Sequence, residues 1–162
     1  MMNVIFIVSL EQTAAFGELL GSCCRPGDVL CLKGNLGAGK TTLTQSIARG
    51  AGIPEKEYVS SPTFSILHHY SGSIEMYHMD FYRLSGGEEV VTMGLDEYFY
   101  LDGLTVVEWY EQAVEIIPES HLLVELEIIA PERRKIRIID NSGEWQGRME
   151  LLVEKLKLLG VL

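Results

Sequence analysis

The length, composition and charge of this chain favour a globular protein and argue against several other classes. Its 162 residues suit a single domain, since domains cluster at about 100–150 residues. A hydrophobic share of 47% with 22% charged residues excludes disordered and collagen-like chains. The 13 basic and 23 acidic residues give a net charge of -10, which argues against unaided binding of tRNA or duplex nucleic acid, because such binding needs clustered lysines and arginines.

The first third of the chain alternates between strand and helix signals. We predict a strand at residues 4–8, a helix at 11–20, a turn at 25–28, a buried strand at 29–33 and, after a glycine-rich loop, a helix at 41–51. For the N-terminal apolar run we expect a strand rather than a targeting signal, because the run is short, lacks a preceding Lys or Arg and is followed directly by Glu11.

Membrane, disulfide and zinc classes find no support in the sequence. No apolar run approaches the ~18 residues that are needed to span a bilayer. Cys23, Cys24 and Cys31 are odd in number and lack C-x-x-C spacing, which favours neither a disulfide framework nor a zinc site. We therefore expect a cytoplasmic protein.

Two hairpins are predicted farther along the chain, so part of the sheet should be antiparallel. Residues 64–70 and 74–80 are joined by Ser71-Gly72-Ser73, and residues 121–129 and 135–139 flank a turn at 130–134. Between the hairpins we predict a helical stretch at 88–93 and a buried strand at 104–109.

Charged and apolar patterns describe the last part of the chain. Glu125 and Glu127 share a face of one strand and Lys135 and Arg137 a face of its partner, which predicts cross-strand ion pairs if the register allows. An amphipathic C-terminal helix is predicted from apolar residues at helical spacing, namely Trp145, Met149, Leu152, Leu156 and Leu159. That helix either packs on the sheet, the interpretation we favour, or presents a partner-binding surface.

The segment GNLGAGKTT, residues 34–42, carries the strongest functional signal. Gly34, Gly39, Lys40 and Thr41 match the phosphate-loop pattern G-x-x-x-x-G-K-(S/T). Glycines permit a loop whose N–H groups point at phosphate, and the following helix adds its N-terminal positive charge. A chance glycine-rich turn is the alternative, but the preceding strand and following helix favour the functional interpretation. Thr42 is either a second polar contact or an ordinary first-turn residue.

Two carboxylates at strand ends are candidates for a catalytic or Mg²⁺-binding role at a bound nucleotide. Glu108 ends the apolar strand TVVEW, and Asp80 ends the first hairpin in YHMD. A phosphate-loop enzyme needs such a group to hold or orient Mg²⁺, whereas an exposed strand-end carboxylate is the alternative for each. Thr63 in SSPTFS has the position of a residue that senses the γ-phosphate, unless this segment is an ordinary proline turn.

Three weaker signals bear on the identity of the ligand and on the extent of the site. His68, His69 and His78 lie near Asp80, but a hairpin brings such residues together without any metal, so zinc is not favoured. No Asn-Lys-x-Asp guanine signature is present, so ATP is preferred over GTP. Trp109 is either a core residue or, since it follows Glu108, part of the site.

Five motifs occur together and in order between residues 34 and 109, and together they resemble the bacterial TsaE (YjeE) family. They are GNLGAGKTTLTQSIARGAGI, SPTFSILHHY, YHMDFYRL, GLDEYF and VVEW. The resemblance extends more weakly to the N-terminal strand and helix and to ERRKIRI, and so covers most of the chain. Asn35 stands where Asp or Glu is frequent in the family, which puts little in doubt.

The resemblance implies a single α/β P-loop NTPase domain whose mixed parallel and antiparallel sheet is flanked by helices. It also implies a slow ATPase that uses Mg²⁺ and is required for threonylcarbamoylation of the adenosine next to the anticodon in tRNAs reading codons that begin with A. The implied partners are TsaD and TsaB, with tRNA reached only through their complex.

The resemblance also implies roles for individual residues. Lys40, Asp80 and Glu108 would be catalytic, with Asp80 acting in hydrolysis or water positioning, and Thr41 and Glu108 would serve Mg²⁺. Thr63 would belong to a switch segment, and Trp109 would lie beside the active site. The nucleotide would be bound by the loop, Thr63 and Trp109, the loop residues being Asn35, Leu36, Gly37, Ala38, Gly39, Lys40, Thr41 and Thr42.

Two other functions use the same loop. A small-molecule kinase needs an acceptor pocket and usually an arginine-bearing lid, but no lid insertion is evident and PERR holds the only close arginine pair. A nucleotide-dependent binding switch, in which hydrolysis is incidental, is the other alternative.

Overall fold

A computed structural model describes residues 2–161. Within them one seven-stranded sheet has the order β1-β7-β6-β2-β5-β4-β3. Its strands are β1 (Met2–Ile7), β2 (Val29–Lys33), β3 (Leu67–Tyr70), β4 (Met76–Asp80), β5 (Leu104–Glu108), β6 (Leu122–Ala130) and β7 (Arg133–Asp140). The helices are α1 (Leu10–Cys23), α2 (Lys40–Gly50), α3 (Gly87–Thr92) and α4 (Gln146–Leu158), with 3-10 segments at Leu95–Tyr100 and Tyr110–Ile116.

The sheet is mixed, as predicted. Strand β2 runs parallel to β5 and β6, and β4 runs parallel to β5. The pairs β3–β4, β6–β7 and β1–β7 are antiparallel. Strands β2 and β5 are buried almost throughout because both of their faces are covered. The predicted mixed sheet with flanking helices is therefore confirmed.

Helices α1 and α2 pack closely against each other on one face of the sheet. A side chain at Gly21 would place its Cβ 2.1 Å from the carbonyl oxygen of Ile47, and one at Gly50 would place it 2.0 Å from that of Glu18. Only glycine permits this approach. The helix pair covers Leu30 and Leu32 of β2 and so anchors α2, the helix that follows the phosphate loop.

The opposite face of the sheet carries a second buried cluster. It includes Met79 of β4, Val107 of β5, Val90 of α3 and Phe99 of the first 3-10 segment. Because alternate residues of β4 and β5 enter this cluster, their neighbours His78, Asp80 and Glu108 face the side covered by α2.

The first hairpin begins later than predicted. Strand β3 starts at Leu67, and Phe64 is 86% exposed. The backbone of Ile66 has φ 68, and its N–H bonds the carbonyl oxygen of Pro62 at 2.6 Å. This turn interrupts the extended conformation, so the prediction of strand at residues 64–66 was wrong. The connection to β4 spans residues 71–75 rather than the three predicted.

The second hairpin is tighter than predicted and its charge pairing is confirmed. Strands β6 and β7 are separated only by residues 131–132. Arg137 lies opposite Glu125, with 2.7 Å between its Nε and Oε2 of the glutamate. Lys135 lies opposite Glu127, with 3.5 Å between Nζ and Oε2. Partly exposed pairs of this kind contribute little to the stability of the fold.

The C-terminal helix packs into the core, and Leu159 lies outside its buried stripe. Trp145, Met149, Leu152 and Leu156 are buried, whereas Leu159 is 59% exposed. The helix ends in a Schellman turn, in which Gly160 has φ 66 and the N–H of Val161 bonds the carbonyl oxygen of Leu156 at 3.0 Å. The turn places Val161 in the core instead of Leu159, so that part of the prediction was wrong.

No helix among the residues that the structure describes combines the length and apolar character that are needed to cross a membrane.

Candidate nucleotide-binding site

The loop between β2 and α2 has the backbone geometry of a phosphate cradle. Gly37 and Gly39 adopt φ 79 and φ 102, which L side chains rarely tolerate. A Cβ at Gly34 would lie 2.8 Å from the carbonyl oxygen of Leu126 on β6, so this glycine lets the loop pass close to the sheet. Gly39 caps α2 without any side-chain hydrogen bond, which leaves the helix N-terminus to a ligand.

Lys40 places a positive charge at the base of this loop. Its Nζ donates to the carbonyl oxygens of Gly34 at 2.6 Å and Asn35 at 3.2 Å, and lies 4.1 Å from the ring centroid of Trp109. Burial lowers the pKa of Lys40, and the negative charges of nearby carboxylates, first that of Glu108, oppose the shift without cancelling it. A bound anion would stabilise this buried cation.

Thr41 and Glu108 form an all-oxygen pair beside the loop. The hydroxyl of Thr41 donates to Glu108, with 3.1 Å to Oε1 and 3.3 Å to Oε2. Glu108 is buried at the end of β5, and Thr41 is the second residue of α2, directly after Lys40. Hydroxyl and carboxylate oxygens are the ligands that Mg²⁺ prefers, so this donor set fits the predicted metal.

Asp80 lies next to Glu108, because β4 and β5 run parallel and these two residues are register partners. Its Oδ2 accepts hydrogen bonds from the hydroxyls of Ser61 at 2.6 Å and Thr63 at 3.1 Å. Its Oδ1 accepts from the N–H of Tyr82 at 2.9 Å. The segment that contains Thr63 is therefore tied to the strand-end carboxylate through side chains.

Trp109 leaves the sheet with φ 58, a left-handed conformation that is uncommon for a residue with a side chain. This turn stops β5 at Glu108, one residue earlier than predicted. The indole ring packs on Tyr82, with 4.9 Å between ring centroids, and lies beneath the Lys40 ammonium group. Trp109 therefore lines the cleft and also packs against the second core cluster.

These groups surround one cleft of about 490 Å³. Most of the predicted site residues line it, namely Leu36, Gly37, Gly39, Lys40, Thr41, Thr42, Thr63, Asp80, Glu108 and Trp109. Asn35 and Ala38 instead line a neighbouring cleft with Glu125 and Leu126. Asn35 enters the site through its carbonyl oxygen, which accepts from Lys40.

Sequence reasoning missed four residues of the site. Ser61 and Tyr82 line the cleft, and the Nε of Arg134 on β7 donates to the carbonyl oxygen of Ala38 at 3.0 Å. Ser61 lies in the same predicted switch segment as Thr63, but nothing in the pattern distinguishes it. Arg134 is distant in sequence and is brought to the loop only by the order of the strands.

His78 is the fourth missed residue. Its partner is Glu108, whereas the sequence analysis considered zinc as a ligand of the histidines. Its Nε2 lies 2.9 Å from Oε1 of Glu108. His69 bonds Glu75 and His68 bonds Tyr70, so the three histidines have separate partners. Within residues 2–161 no group of three His, Cys, Asp or Glu side chains is placed to hold a metal ion.

Comparisons with known proteins identify relatives of this chain. The model of the family described as threonylcarbamoyl adenosine biosynthesis protein TsaE matches residues 7–136. The tRNA threonylcarbamoyladenosine biosynthesis protein TsaE of Bacillus subtilis is 39% identical over 150 residues, which are 92% of this chain and 90% of the relative. The TsaE protein of Treponema pallidum is 37% identical over 130 residues, which are 80% of this chain and 95% of the relative.

A solved structure extends the likeness to the fold. The crystal structure of Bacillus subtilis YdiB superposes with a TM-score of 0.78 at 34% identity and covers 99% of this chain and 97% of that one. The matched family model spans the phosphate loop, Asp80 and Glu108. The chain belongs to the TsaE family.

Proposed function

We propose that this protein is a Mg²⁺-dependent ATPase that acts on a TsaD–TsaB complex in the biosynthesis of tRNA threonylcarbamoyladenosine. Family membership supports the pathway. The observation that carries the ATPase activity is the contact between Thr41 and Glu108, next to Lys40 at the N-terminus of α2. A phosphate cradle and an oxygen donor pair for a divalent cation lie together in one cleft.

The loop and Lys40 hold the triphosphate in this proposal. The N–H groups at the start of α2 bind phosphate oxygens, and the helix dipole favours their negative charge. Lys40 exchanges the carbonyl oxygens of Gly34 and Asn35 for the β- and γ-phosphate oxygens. The exchange replaces neutral acceptors with anionic ones, which suits a buried ammonium group.

Thr41 and Glu108 would hold the magnesium ion. Magnesium bound there supplies positive charge that offsets the charge developing on the phosphate oxygens. The Thr41 hydroxyl can donate its proton to Glu108 while its lone pairs serve as a ligand, so the hydrogen bond between them is compatible with both roles.

Asp80 orients the attacking water in this proposal. Its Oδ2 accepts from both Ser61 and Thr63, so much of its capacity to accept a proton or to order water is occupied. We expect slow hydrolysis by the isolated protein for this reason. A partner that moves the segment of Ser61 and Thr63 would free the carboxylate and accelerate turnover.

The cleft favours hydrolysis over the kinase alternative. Arg134 contacts the loop at the carbonyl oxygen of Ala38, and in the part of the chain that the structure describes no arginine lines the cleft itself. Kinases commonly close arginines over the transferred phosphate. Chromatography of the products formed from γ-labelled ATP distinguishes the two, because a kinase transfers the label to a metabolite and an ATPase releases it as free phosphate.

A Glu108→Ala variant that still supports tRNA modification would favour the binding-switch alternative.

The test is a Lys40→Ala variant assayed with TsaD and TsaB. Loss of a charge aimed at the transferred phosphate commonly lowers turnover about 100- to 1,000-fold, and we expect a loss of that size in both ATP hydrolysis and multiple-turnover modification of tRNA. Lys33→Ala is the matched control, since Lys33 carries the same charge but pairs with Glu125 outside the cleft. Normal stimulated turnover in Lys40→Ala would refute the proposal.

A further inference from the structure

His78 is buried beneath the candidate site and the proposed ATPase chemistry has not used it. Its side chain is fully buried on β4, on the sheet face that α2 covers. It is two residues before Asp80 and lies beside Val106, two residues before Glu108 on the parallel strand β5. An imidazole is an expensive group to bury, so its contacts indicate what it does there.

The contacts of His78 define which ring nitrogen carries the proton. Nε2 lies 2.9 Å from Oε1 of Glu108, and a carboxylate can only accept, so Nε2 donates. Nδ1 is the buried side-chain polar atom that lacks a hydrogen-bond partner among the described residues. A proton there would be an unsatisfied buried donor, whereas a lone pair is tolerated at lower cost. The donor of His78 is therefore Nε2, and its partner is Oε1 of Glu108.

The two carboxylate oxygens of Glu108 differ in the hydrogen bonds that they accept. Oε1 accepts from both His78 at 2.9 Å and Thr41 at 3.1 Å, while Oε2 has the longer contact of 3.3 Å with Thr41. The bond from His78 comes from within the sheet and Thr41 comes from α2. Two donors from different elements fix the rotation of the carboxylate and leave Oε2 as the oxygen with free accepting capacity.

From this geometry we propose that His78 is the positioning residue of Glu108, holding Oε1 so that Oε2 is presented to the divalent cation. This inference rests on the proposed function, which supplies the cation. Removal of a group that orients a metal ligand typically weakens metal binding about 10- to 100-fold. Loss of His78 should therefore lower the affinity for the metal ion and leave the affinity for metal-free nucleotide unchanged.

Three variants separate this role from a structural one. His78→Leu fills the space without a donor, and His78→Gln keeps an amide N–H that can reach Glu108. Met79→Leu is the matched control, since Met79 is the next residue of β4 and points to the opposite core cluster. Thermal melting and circular dichroism check that each variant is folded.

Binding of Mn²⁺ to the ADP-loaded protein, followed by electron paramagnetic resonance of the free ion, is the first readout. We expect His78→Leu to weaken it about 10- to 100-fold, His78→Gln to recover most of the affinity, and Met79→Leu to match the wild type. Affinity for ADP in the presence of a chelator should be the same in all four proteins.

Wild-type Mn²⁺ affinity in His78→Leu would overturn the positioning role alone. No Mn²⁺ binding by the wild type would overturn the cation site of the proposed function as well.

The second readout needs neither nucleotide nor a stable variant at position 78. Nitrogen NMR of the wild-type protein should show a proton on Nε2 of His78, and Glu108→Gln should shift the Nε2 resonance. An Nε2 without a proton, or an Nε2 resonance that does not change in Glu108→Gln, would overturn the inference even if His78→Leu fails to fold.

Discussion

At the scale of single residues, the phosphate loop depends on backbone conformation more than on space. A Cβ at Gly39 would touch nothing, yet φ 102 lies where residues with side chains are strained. Gly147, inside α4, also has open space where a Cβ would stand, but it has no positive φ. Because a Cβ would be crowded at neither position, a difference between alanine substitutions at the two glycines reports backbone strain at Gly39.

We predict opposite effects for alanine at these two glycines. Gly39→Ala should lower the free energy of unfolding by about 1–2 kcal/mol, the cost of a left-handed L residue, and should weaken ATP binding because the loop N–H groups shift. Gly147→Ala, in the first turn of α4, should raise the free energy of unfolding by about 0.4–1 kcal/mol, since alanine has less backbone freedom than glycine to lose on folding. Urea denaturation measures both changes. Equal effects of the same sign would contradict the explanation from φ.

At the scale of elements, Asp140 joins the end of β7 to α4. Its Oδ1 accepts from the N–H groups of Ser142 and Gly143 and from the Ser142 hydroxyl, and its Oδ2 accepts from the N–H of Trp145 at 3.0 Å. Burial by itself would raise the pKa of Asp140, but the hydrogen bonds from Ser142, Trp145 and Gly143 outweigh it and lower the pKa. The connection to α4 is thus held by an ionised carboxylate.

This pKa shift predicts a pH-dependent contribution to stability. Because the pKa in the folded protein is below its unfolded value of about 3.9, the contribution is complete above that value and is lost as the pH falls through the lower folded pKa. Asp140→Asn should cost about 1.5–3 kcal/mol at neutral pH, the usual strength of hydrogen bonds to a charged group. The difference from the wild type should shrink in acid. Chemical denaturation across pH measures it.

The control for this experiment is Asp102→Asn, which removes the same charge from an exposed residue. It should leave the stability profile nearly unchanged. A deficit of Asp140→Asn that stays constant down to strongly acidic pH would show that shape, rather than charge, holds the connection.

The elements also show what the sequence could predict. Phosphate loop, mixed sheet and the Glu125–Arg137 pairing follow from local pattern, because each depends on residues close in sequence or on simple strand alternation. The turn at Ile66 and the Schellman turn that buries Val161 instead of Leu159 were missed, since tertiary packing overrides apolar periodicity there.

The residues missed at the candidate site have a related cause. His78 and Glu108 are 30 positions apart and meet because β4 and β5 are parallel neighbours. Arg134 reaches the loop from 96 positions away. A pattern along the chain contains neither strand order nor register, so these contacts required the fold, whereas Lys40, Thr41, Asp80 and Glu108 were identifiable from motif and strand ends.

At the scale of the whole molecule, the parallel strands β2, β5 and β4 bring the predicted groups to one edge of the sheet. Their carboxyl ends lead to the phosphate loop, Glu108 and Asp80 respectively. Ligands of open α/β sheets bind at this edge. The position of the candidate site therefore follows from the strand topology as well as from the sequence motif.

The net charge of -10 yields the prediction that concerns the whole molecule. A protein that neutralises few phosphates releases few counterions, so its affinity for nucleic acid should be weak and should vary little with salt. We expect no saturable binding of labelled tRNA by the isolated protein in fluorescence anisotropy, with or without ATP. Addition of TsaD and TsaB should produce binding that depends on salt. Tight binding by the protein alone with a steep salt dependence would show that it contacts tRNA directly, and that the partners are not its route to the substrate.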